Sequence, residues 1–216
     1  MKIKGCLFDL DGVIVDTAKY HYIAWRELAR SLGFDFSEKD NECLKGVSRM
    51  ASLEILLEVG GIKGVSDEEK QRMAAEKNAN YVSLISKMTP DEVLPGATEF
   101  LKELRRSGIK VSLGSASKNA MTILTRLGLV ELFDAIIDGT KVSKAKPDPE
   151  VFLKGAEALG LKPEECVVFE DAAAGLEAAI NGGMRCVGIG SPEVLHRANM
   201  VVDGLHQMNV EKLMTL

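Results

Sequence analysis

The chain has 216 residues, of which 46% are hydrophobic and 27% charged, enough for one sizeable core and a smaller satellite unit. Its formal net charge is -5 and its basic residues are spread along the chain, which argues against a nucleic-acid or anionic-membrane surface and favours a small soluble partner. Apolar runs are short, and the N-terminus lacks the apolar block of a signal peptide. We therefore expect a monomeric cytoplasmic protein that does not span a membrane.

Six short apolar runs are predicted to be strands. They are Ile3 to Phe8, Ile109 to Leu113, Ala135 to Ile137, Val167 to Phe169, Cys186 to Ile189 and Met200 to Val202. Helical patterns lie between most of them, as at Ala97 to Ser107 and Met121 to Leu127, and both of these stop at a glycine suited to a left-handed cap. The alternation predicts an α/β fold with a Rossmann-like, mostly parallel sheet and helices on both faces. Ligands of such sheets bind beyond the carboxyl ends of the strands.

The segment 17–89 interrupts this alternation because it contains no convincing strand. It holds helices with start signals such as Ser37-x-x-Asp40 and Ser66-x-x-Glu69. We predict a small all-helical cap domain inserted into a core domain made of residues 1–16 and 90–216. Because the chain enters the insert directly after the first strand, we expect the cap to act as a lid over the end of that strand.

Four cysteines, Cys6, Cys43, Cys166 and Cys186, show no CxxC spacing, and three of them lie in strand-like runs. Buried free thiols are the expected state.

Two predicted strands end in paired acids, Asp9 with Asp11 and Glu170 with Asp171. Like charges repel unless a cation lies beside them, and hard carboxylate oxygens suit magnesium. Each acid could instead bond local backbone amides in a turn or cap a helix. In a parallel sheet both pairs can converge on one rim, where they would form a magnesium site with positions open to water and a phosphate.

Two further predicted strand ends carry groups that bind anions. The run Ile109 to Leu113 leads into Gly114-Ser115-Ala116-Ser117-Lys118-Asn119 and a helix N-terminus, and Lys146 lies in a proline-fixed loop after another strand. Taken separately, each could be a capped helix or a solvated lysine. Together, four strand ends offer what phosphoryl transfer requires.

These four elements, in this order, resemble the haloacid dehalogenase superfamily of phosphotransferases over essentially the whole chain. The resemblance implies that Asp9 attacks phosphorus to form an aspartyl phosphate and that Asp11 is the general acid and base. It implies that Ser115 and Lys146 hold the transferring group. It also implies a Mg²⁺ ion bound by Asp9, the backbone carbonyl of Asp11, Glu170 and Asp171. Ala172 departs from many relatives, which carry a serine there, and its missing hydroxyl could loosen the surroundings of the metal.

The predicted cap has features of its own. Thr17, His21 and Trp25 are spaced i, i+4, i+8 and share a helix face close to Asp11. Trp25 could instead pack in the core, and His21 could simply be bonded to a partner on a helix. The segment Leu44-Lys45-Gly46-Val47-Ser48-Arg49 places two cations around a glycine before a helix that Ser48 could cap, although charges there could simply be solvated.

These cap features, with Ser52 and Lys77-Asn78, resemble the mutases of the superfamily that interconvert β-glucose 1-phosphate and glucose 6-phosphate through the 1,6-bisphosphate. The resemblance implies a distal-phosphate site of Arg49, Ser117, Lys118 and Asn119. It further implies sugar contacts from Lys45, Gly46, Val47, Ser52 and Lys77, and steering of Asp11 by Thr17 and His21. Trp25 and Ala116 complete the predicted substrate-binding set.

A mutase must grip two phosphates in turn, and the guanidinium of Arg49 suits this second task. Two other functions remain open at this point. One is a sugar-phosphate or phosphoglycolate phosphatase on the same scaffold, which needs only one phosphate site. The other is a non-catalytic sugar-phosphate sensor, against which the intact set of acids and Lys146 argues.

Overall fold

The computed structural model describes residues 3–44 and 47–216, and the chain divides into two compact units. One unit, the core, comprises Met1–Asp16 and Thr89–Leu216, and the other, the cap, comprises Thr17–Met88. The second boundary lies one residue before the predicted one. Among the described residues, no helix is both long enough and apolar enough to cross a bilayer.

The α/β class predicted from the sequence is confirmed. In chain order the helices and strands are β1 (Gly5–Phe8), α1 (Ala18–Ser31), α2 (Glu38–Glu42), α3 (Arg49–Val59), α4 (Asp67–Ile85), α5 (Ala97–Arg106), β2 (Lys110–Gly114), α6 (Ala120–Leu127), β3 (Ala135–Ile137), α7 (Glu150–Leu159), β4 (Cys166–Glu170), α8 (Ala173–Asn181), β5 (Arg185–Ile189), β6 (Met200–Val202) and α9 (Val210–Leu213). Short 3-10 turns lie at Pro90–Glu92, Val130–Leu132, Pro163–Glu165 and Leu205–Gln207.

In the described residues, six strands form one parallel sheet in the order β3-β2-β1-β4-β5-β6. The chain builds outward from β1 in one direction and then, from β4, in the other, so that β1 and β4 lie side by side at the point where the strand order reverses. A crevice opens outside the carboxyl ends of the strands at such a point, and ligands bind there. The topology therefore predicts a site at the ends of β1 and β4.

The central strands are buried on both faces, as parallel strands covered by helices must be. On one face Phe8 stacks on Phe169 with ring centroids 4.5 Å apart, and Phe100 of α5 meets both rings edge-on. On the other face Leu7 and Val168 pack in a cluster with residues of α7 and α8. This packing fixes β1 against β4 and so fixes the residues that follow them.

The cap has its own hydrophobic cluster, which includes Trp25, Phe36 and Leu53. Both predicted start signals are capping boxes, at the N-termini of α2 and α4. The Ser48 side chain accepts from the Ala51 amide at the start of α3, also as expected.

Of the four cysteines, Cys6, Cys166 and Cys186 are buried free thiols, as predicted. Cys43 is exposed, so the expectation of burial was wrong for it. Cys43 directly follows α2, on a turn beyond the last residue of that helix, whereas the other three lie in central strands.

The chain segments of the core that flank the cap are hydrogen-bonded to each other. Val15 forms an antiparallel bridge with Val93, and the Leu94 amide donates to the Ile14 carbonyl at 2.9 Å. The core thus ties together its own two connections to the insert.

Candidate active site

The register of β1 and β4 brings Asp9 and Glu170 side by side. Phe8 is paired with Phe169, and the Asp9 amide donates to the Phe169 carbonyl at 3.0 Å, so the next residue of each strand carries its carboxyl group to the same rim. Asp171 follows at once. One carboxylate oxygen from each of Asp9, Glu170 and Asp171 lies within 4.8 Å of the others. The convergence of the two acidic pairs on one rim, inferred from the sequence, is present for these three residues.

Lys146 inserts its ammonium into this cluster. Its Nζ donates to Asp9 Oδ1 at 2.6 Å and to Glu170 Oε1, and it lies 4.8 Å from the centre of the Phe152 ring. The side chain is only 5% exposed, and the peptide bond between Lys146 and Pro147 is cis. Burial acts to lower the pKa of Lys146, but the two carboxylates outweigh it and hold that pKa above its ordinary value. Lys146 therefore remains charged.

One lysine does not balance three acids in this buried place. Burial raises the pKa of Asp171 to about 8, helped by the charges of Asp9, Glu170 and Asp11. Burial likewise raises the pKa of Glu170 to about 7, with Lys146 opposing it and Asp9 adding to it. Burial is the main cause of both shifts, and at Asp171 the neighbouring carboxylates add to it, so the acids at the rim carry more negative charge than Lys146 balances. A divalent cation bound by hard oxygen ligands would relieve this excess, so the donor set fits such an ion.

Two glycines leave room for the carboxylates to approach each other. A Cβ on Gly12, which has a φ of 75°, would lie no more than 3.0 Å from three atoms of the Asp171 side chain. A Cβ on Gly175 of α8 would lie closer than 3.0 Å to all three carboxyl atoms of Glu170. Real Cβ atoms essentially never come so close. The need for a glycine at these two positions was not predicted from the sequence, because only the folded chain shows which side chain each one faces.

The surroundings of Glu170 also bear on Ala172. The Ala172 amide donates to Glu170 Oε2 at 3.1 Å, so the backbone at this position orders the carboxylate without a side-chain hydroxyl. The other member of the first acidic pair, Asp11, is half-buried and forms a parallel bridge with Val15. Its charge is near enough to contribute to the raised pKa of Asp171.

The loop after β2, residues 115–119, is called the Ser115 loop below. Ser115 is buried and its amide donates to the Ile137 carbonyl of β3 at 2.9 Å, which fixes it at the sheet rim. Its hydroxyl accepts from the Ser117 amide at 3.1 Å, and the Ser117 hydroxyl accepts from the Asn119 amide at 3.3 Å. The loop therefore turns tightly into α6, with Ala116 and Lys118 exposed. Such a loop before a helix N-terminus suits an anion.

Gly139 supports the Ser115 loop from the next strand end. Its amide donates to the Ser117 carbonyl at 3.2 Å, and a Cβ there would collide with the Ala116 carbonyl oxygen. Gly139 was not predicted as a site residue from the sequence. A glycine two residues after a predicted strand was the available signal, but it did not indicate which loop would pack against it.

Inside the cap, Lys77 is buried among rings. Its Nζ lies 4.3 Å from the centre of the Trp25 ring and 4.9 Å from that of Tyr81, and 2.8 Å from His21 Nδ1. His21 also stacks on Tyr81 at 4.0 Å. Burial lowers the pKa of His21 well below its usual value, and Lys77 and Arg49 lower it further, so His21 is neutral and Nδ1 accepts from the lysine.

Tyr81 was also missed, although its i, i+4 spacing from Lys77 on α4 places the two on one helix face. Trp25 is 2% exposed and belongs to the cap's hydrophobic cluster, so the packing alternative considered for it fits its position. Burial lowers the pKa of Arg49, which is half-buried.

The remaining predicted cap residues are placed as follows. Thr17 and Ser52 are buried and Val47 is half-buried. Lys45 and Gly46 lie outside the described residues. The predicted site residues thus fall in both units: Asp9, Asp11, Lys146, Glu170, Asp171 and the Ser115 loop belong to the core, and the others to the cap.

Comparison with known proteins agrees with this arrangement. The family model for haloacid dehalogenase-like hydrolases matches residues 3–183. The β-phosphoglucomutase of Bacillus subtilis is 42% identical over 212 residues, which are 98% of this chain and 94% of that protein. The crystal structure of a β-phosphoglucomutase from Clostridium difficile superposes with a TM-score of 0.94 at 48% identity, covering 99% of this chain and 96% of that one.

A relative with a different activity is also similar. The phosphorylated carbohydrates phosphatase of Thermotoga maritima is 34% identical over 184 residues, which are 84% of this chain and 82% of that protein. The family-model match extends over most of the chain and includes every core residue of the candidate site. The chain therefore belongs to the haloacid dehalogenase-like hydrolase family.

Proposed function

We propose that this protein is an isomerase of the phosphoglucomutase type. It interconverts β-D-glucose 1-phosphate and D-glucose 6-phosphate through an aspartyl-phosphate enzyme and β-glucose 1,6-bisphosphate. The observation that carries the proposal is the cluster of Asp9, Lys146, Glu170 and Asp171 at the reversal point of the sheet. It lies in a chain that is 42% identical to a β-phosphoglucomutase over nearly its full length.

Asp9 is the nucleophile in this proposal. Its carboxylate attacks phosphorus, the bond to the leaving oxygen breaks, and the phosphoryl group is held as an aspartyl phosphate. The contact between Lys146 and Asp9 Oδ1 fixes the orientation of the carboxylate before attack. The same ammonium, with the Ser115 hydroxyl, neutralises charge on the transferring oxygens, where a preorganised cation is most effective because water is excluded.

The metal is proposed to be Mg²⁺, held by Asp9, the backbone carbonyl of Asp11, Glu170 and Asp171. When bound, it supplies positive charge that screens Asp9 from the phosphate that approaches it. The geometry supports a divalent cation here, because one oxygen from each of three carboxylates lies within 4.8 Å of the others and hard oxygen ligands suit such an ion.

Asp11 is the proposed general acid and base. It protonates the leaving sugar oxygen when Asp9 is phosphorylated and takes the proton from the incoming hydroxyl when the phosphoryl group is returned. Thr17 and His21 are proposed to orient Asp11. Because Nδ1 of the neutral imidazole accepts from Lys77, the ring proton is on Nε2, which makes His21 a hydrogen-bond donor suited to a positioning role.

The second requirement of a mutase is a grip on the phosphate that is not being transferred. We assign this role to Arg49, Ser117, Lys118 and Asn119, and sugar contacts to Lys45, Gly46, Val47, Ser52 and Lys77, with Ala116 and Trp25 completing the set. Exposure of Lys118 and the tight turn of the Ser115 loop support anion binding. The guanidinium of Arg49 can bind a phosphate through two hydrogen bonds, as a lysine does not.

Product analysis tests the proposal. The protein is incubated with β-glucose 1-phosphate, Mg²⁺ and a trace of the bisphosphate, and glucose 6-phosphate and free phosphate are measured. Accumulation of glucose 6-phosphate with little phosphate is the expected result. Stoichiometric free phosphate without glucose 6-phosphate would favour a sugar-phosphate phosphatase, the alternative suggested by the Thermotoga maritima relative, which has that activity in its name.

Asp9→Asn is expected to abolish all phosphoryl transfer, because an amide is not a competent nucleophile. Asp91→Asn, at an exposed acid of the 3-10 turn, is the matched control and should retain activity. Full activity in the Asp9 variant would show that the nucleophile is misassigned. Substrate binding without turnover in the unaltered protein would identify a sensor instead.

We also propose that the protein is a monomer and that it acts in the cytoplasm. Light scattering tests whether it is a monomer.

A further inference from the structure

Lys146 lies at the apex of a closed loop between β3 and α7, residues 143–150, which we call the Lys146 loop. The ammonium is wedged between Asp9 and Glu170, but the lysine stem is flexible and sets no position by itself. The placement of the ammonium therefore depends on where the loop holds the Lys146 backbone. Glu150, the first residue of α7, has no part in the proposed chemistry, yet its carboxylate is the centre of that loop's hydrogen bonds.

One oxygen of Glu150 gathers the first residues of the loop. Glu150 Oε2 accepts from the Ser143 amide at 2.9 Å, from the Ser143 hydroxyl at 3.0 Å and from the Lys144 amide at 2.8 Å. The other oxygen, Oε1, pairs with Lys154 one turn along α7 at 2.6 Å. These contacts lower the pKa of Glu150 to about 2, so the carboxylate remains ionised.

The part of the loop that follows Lys146 is also hydrogen-bonded to Glu150. The Glu150 amide donates to Asp148 Oδ1 at 3.0 Å, and the Asp148 amide donates to the Ala145 carbonyl at 3.0 Å. Lys144 Nζ lies 3.2 Å from Asp148 Oδ2. The two ends of the loop thus meet at Glu150, with Lys146 between them. The Glu150 carboxylate accepts from two consecutive amides that precede Lys146, and the Glu150 amide donates to Asp148, which follows it. Glu150 therefore determines the distance between the two ends of the loop.

We propose that Glu150 is a positioning residue for phosphoryl transfer: it fixes the span of the Lys146 loop and thereby holds the Lys146 ammonium between Asp9 and Glu170. This inference rests on the proposed function. Loss of the amide acceptor lets residues 143 and 144 move away from α7, and the ammonium moves with them. Misplacement of a catalytic group by about 1 Å lowers a rate on the order of 100-fold.

Four variants separate this role from general stabilisation. Glu150→Ala removes every contact of the carboxylate. Glu150→Asp keeps the charge, and keeps an acid suited to a helix N-terminus, but withdraws the oxygens by one carbon-carbon bond. Glu150→Gln keeps an amide-accepting oxygen and loses the ion pair. Lys154→Met removes the ion pair, together with the hydrogen bond from Lys154 Nζ to the Lys141 carbonyl, and leaves the carboxylate in place.

The expected result is a loss of about 10- to 100-fold in kcat/KM for the Ala and Asp variants, carried mainly by kcat. The Gln variant should restore activity to within about threefold of the unaltered protein, and Lys154→Met should match it. The Asp variant keeps the test open if the Ala variant fails to fold. A Glu150→Asp variant with unaltered kcat/KM overturns the inference, and so does a Lys154→Met variant as impaired as Glu150→Asp.

A second readout does not depend on turnover. The metal-free proteins are treated with trinitrobenzenesulfonate, and the rate of Lys146 labelling is followed by peptide mass spectrometry. Lys146 should react faster in Glu150→Asp than in the unaltered protein, because its ammonium is released from the two carboxylates. Equal labelling rates overturn the inference. If the unaltered protein transfers no phosphoryl group, the proposed function fails, whereas the labelling comparison still decides whether Glu150 positions Lys146.

Discussion

Gly175 lies in α8 directly behind the Glu170 carboxylate, and replacing it by alanine sets two effects of known size against each other. Alanine is the better helix former by about 1 kcal/mol, so helix propensity alone predicts a more stable protein. The new Cβ, however, would lie closer than 3.0 Å to Glu170 Oε1, Oε2 and Cδ. Because Glu170 is 1% exposed, its carboxylate can make room only by moving within the core, and we expect this movement to break its ion pair with Lys146.

Breaking a buried ion pair costs about 3–5 kcal/mol, which exceeds the gain in helix propensity. The net expectation for Gly175→Ala is a loss of about 2–4 kcal/mol in the free energy of unfolding. For a chain of 216 residues this corresponds to a fall of about 5–15 °C in Tm. The displaced carboxylate should also weaken Mg²⁺ binding by about 10- to 100-fold.

Calorimetry measures both quantities, by thermal unfolding of the metal-free protein and by titration with Mg²⁺. Gly182→Ala, at the end of the same helix, is the control: its nearest neighbours, the Ala178 carbonyl oxygen and Pro149 Cβ, are both 3.3 Å away. It should change stability by less than about 1 kcal/mol. A Gly175→Ala protein with unaltered Tm and Mg²⁺ affinity would refute the reasoning, since Glu170 would then be free to move at no cost.

Three further measurements test other parts of the site. Because the pKa of Asp171 is raised from 3.8 to about 8, the folded metal-free protein retains a proton there that the unfolded chain loses, so its stability should fall as pH rises from about 4 through 8. Denaturant unfolding across that range should show a flatter profile for Asp171→Asn, and an unchanged slope would contradict the assignment. Gly139→Ala should raise KM for β-glucose 1-phosphate about tenfold by displacing the Ala116 carbonyl, and a KM equal to that of the unaltered protein would count against this. The His21 imidazole should remain neutral in NMR titrations near pH 7, and Lys77→Met should raise its pKa; no rise would exclude an electrostatic effect of the lysine.

The strands and the residues at which they end could be predicted from the sequence, because both depend on the local pattern of apolar and polar residues. All six predicted strands exist, with bounds that differ by at most two residues. At its acidic end, β4 extends one residue beyond the predicted strand and includes Glu170, because a charged residue was taken to end the apolar run. Burial of Glu170 beside Lys146 explains why a strand can include it.

Contacts that join distant parts of the chain were less accessible. Lys146 and Asp9 are 137 residues apart, and their pairing depends on strand order, register and the closed shape of the Lys146 loop. The family resemblance supplied the roles of these two residues, but it gave no indication that Glu150 anchors the loop or that Gly175 makes room for Glu170. Those contacts follow from tertiary packing, which no periodicity in the sequence encodes.

The bridge between Val15 and Val93 has an evolutionary consequence. Because these two positions bridge each other within the core, the 72 residues of Thr17–Met88 form an insertion whose ends are held together by the core. The entropy of closing such an insertion grows only with the logarithm of its length, so segments of very different size could be exchanged there at little thermodynamic penalty. Under the proposed function, substrate contacts in the insert could therefore diversify while the residues that cleave and form the phosphoester bond are left untouched.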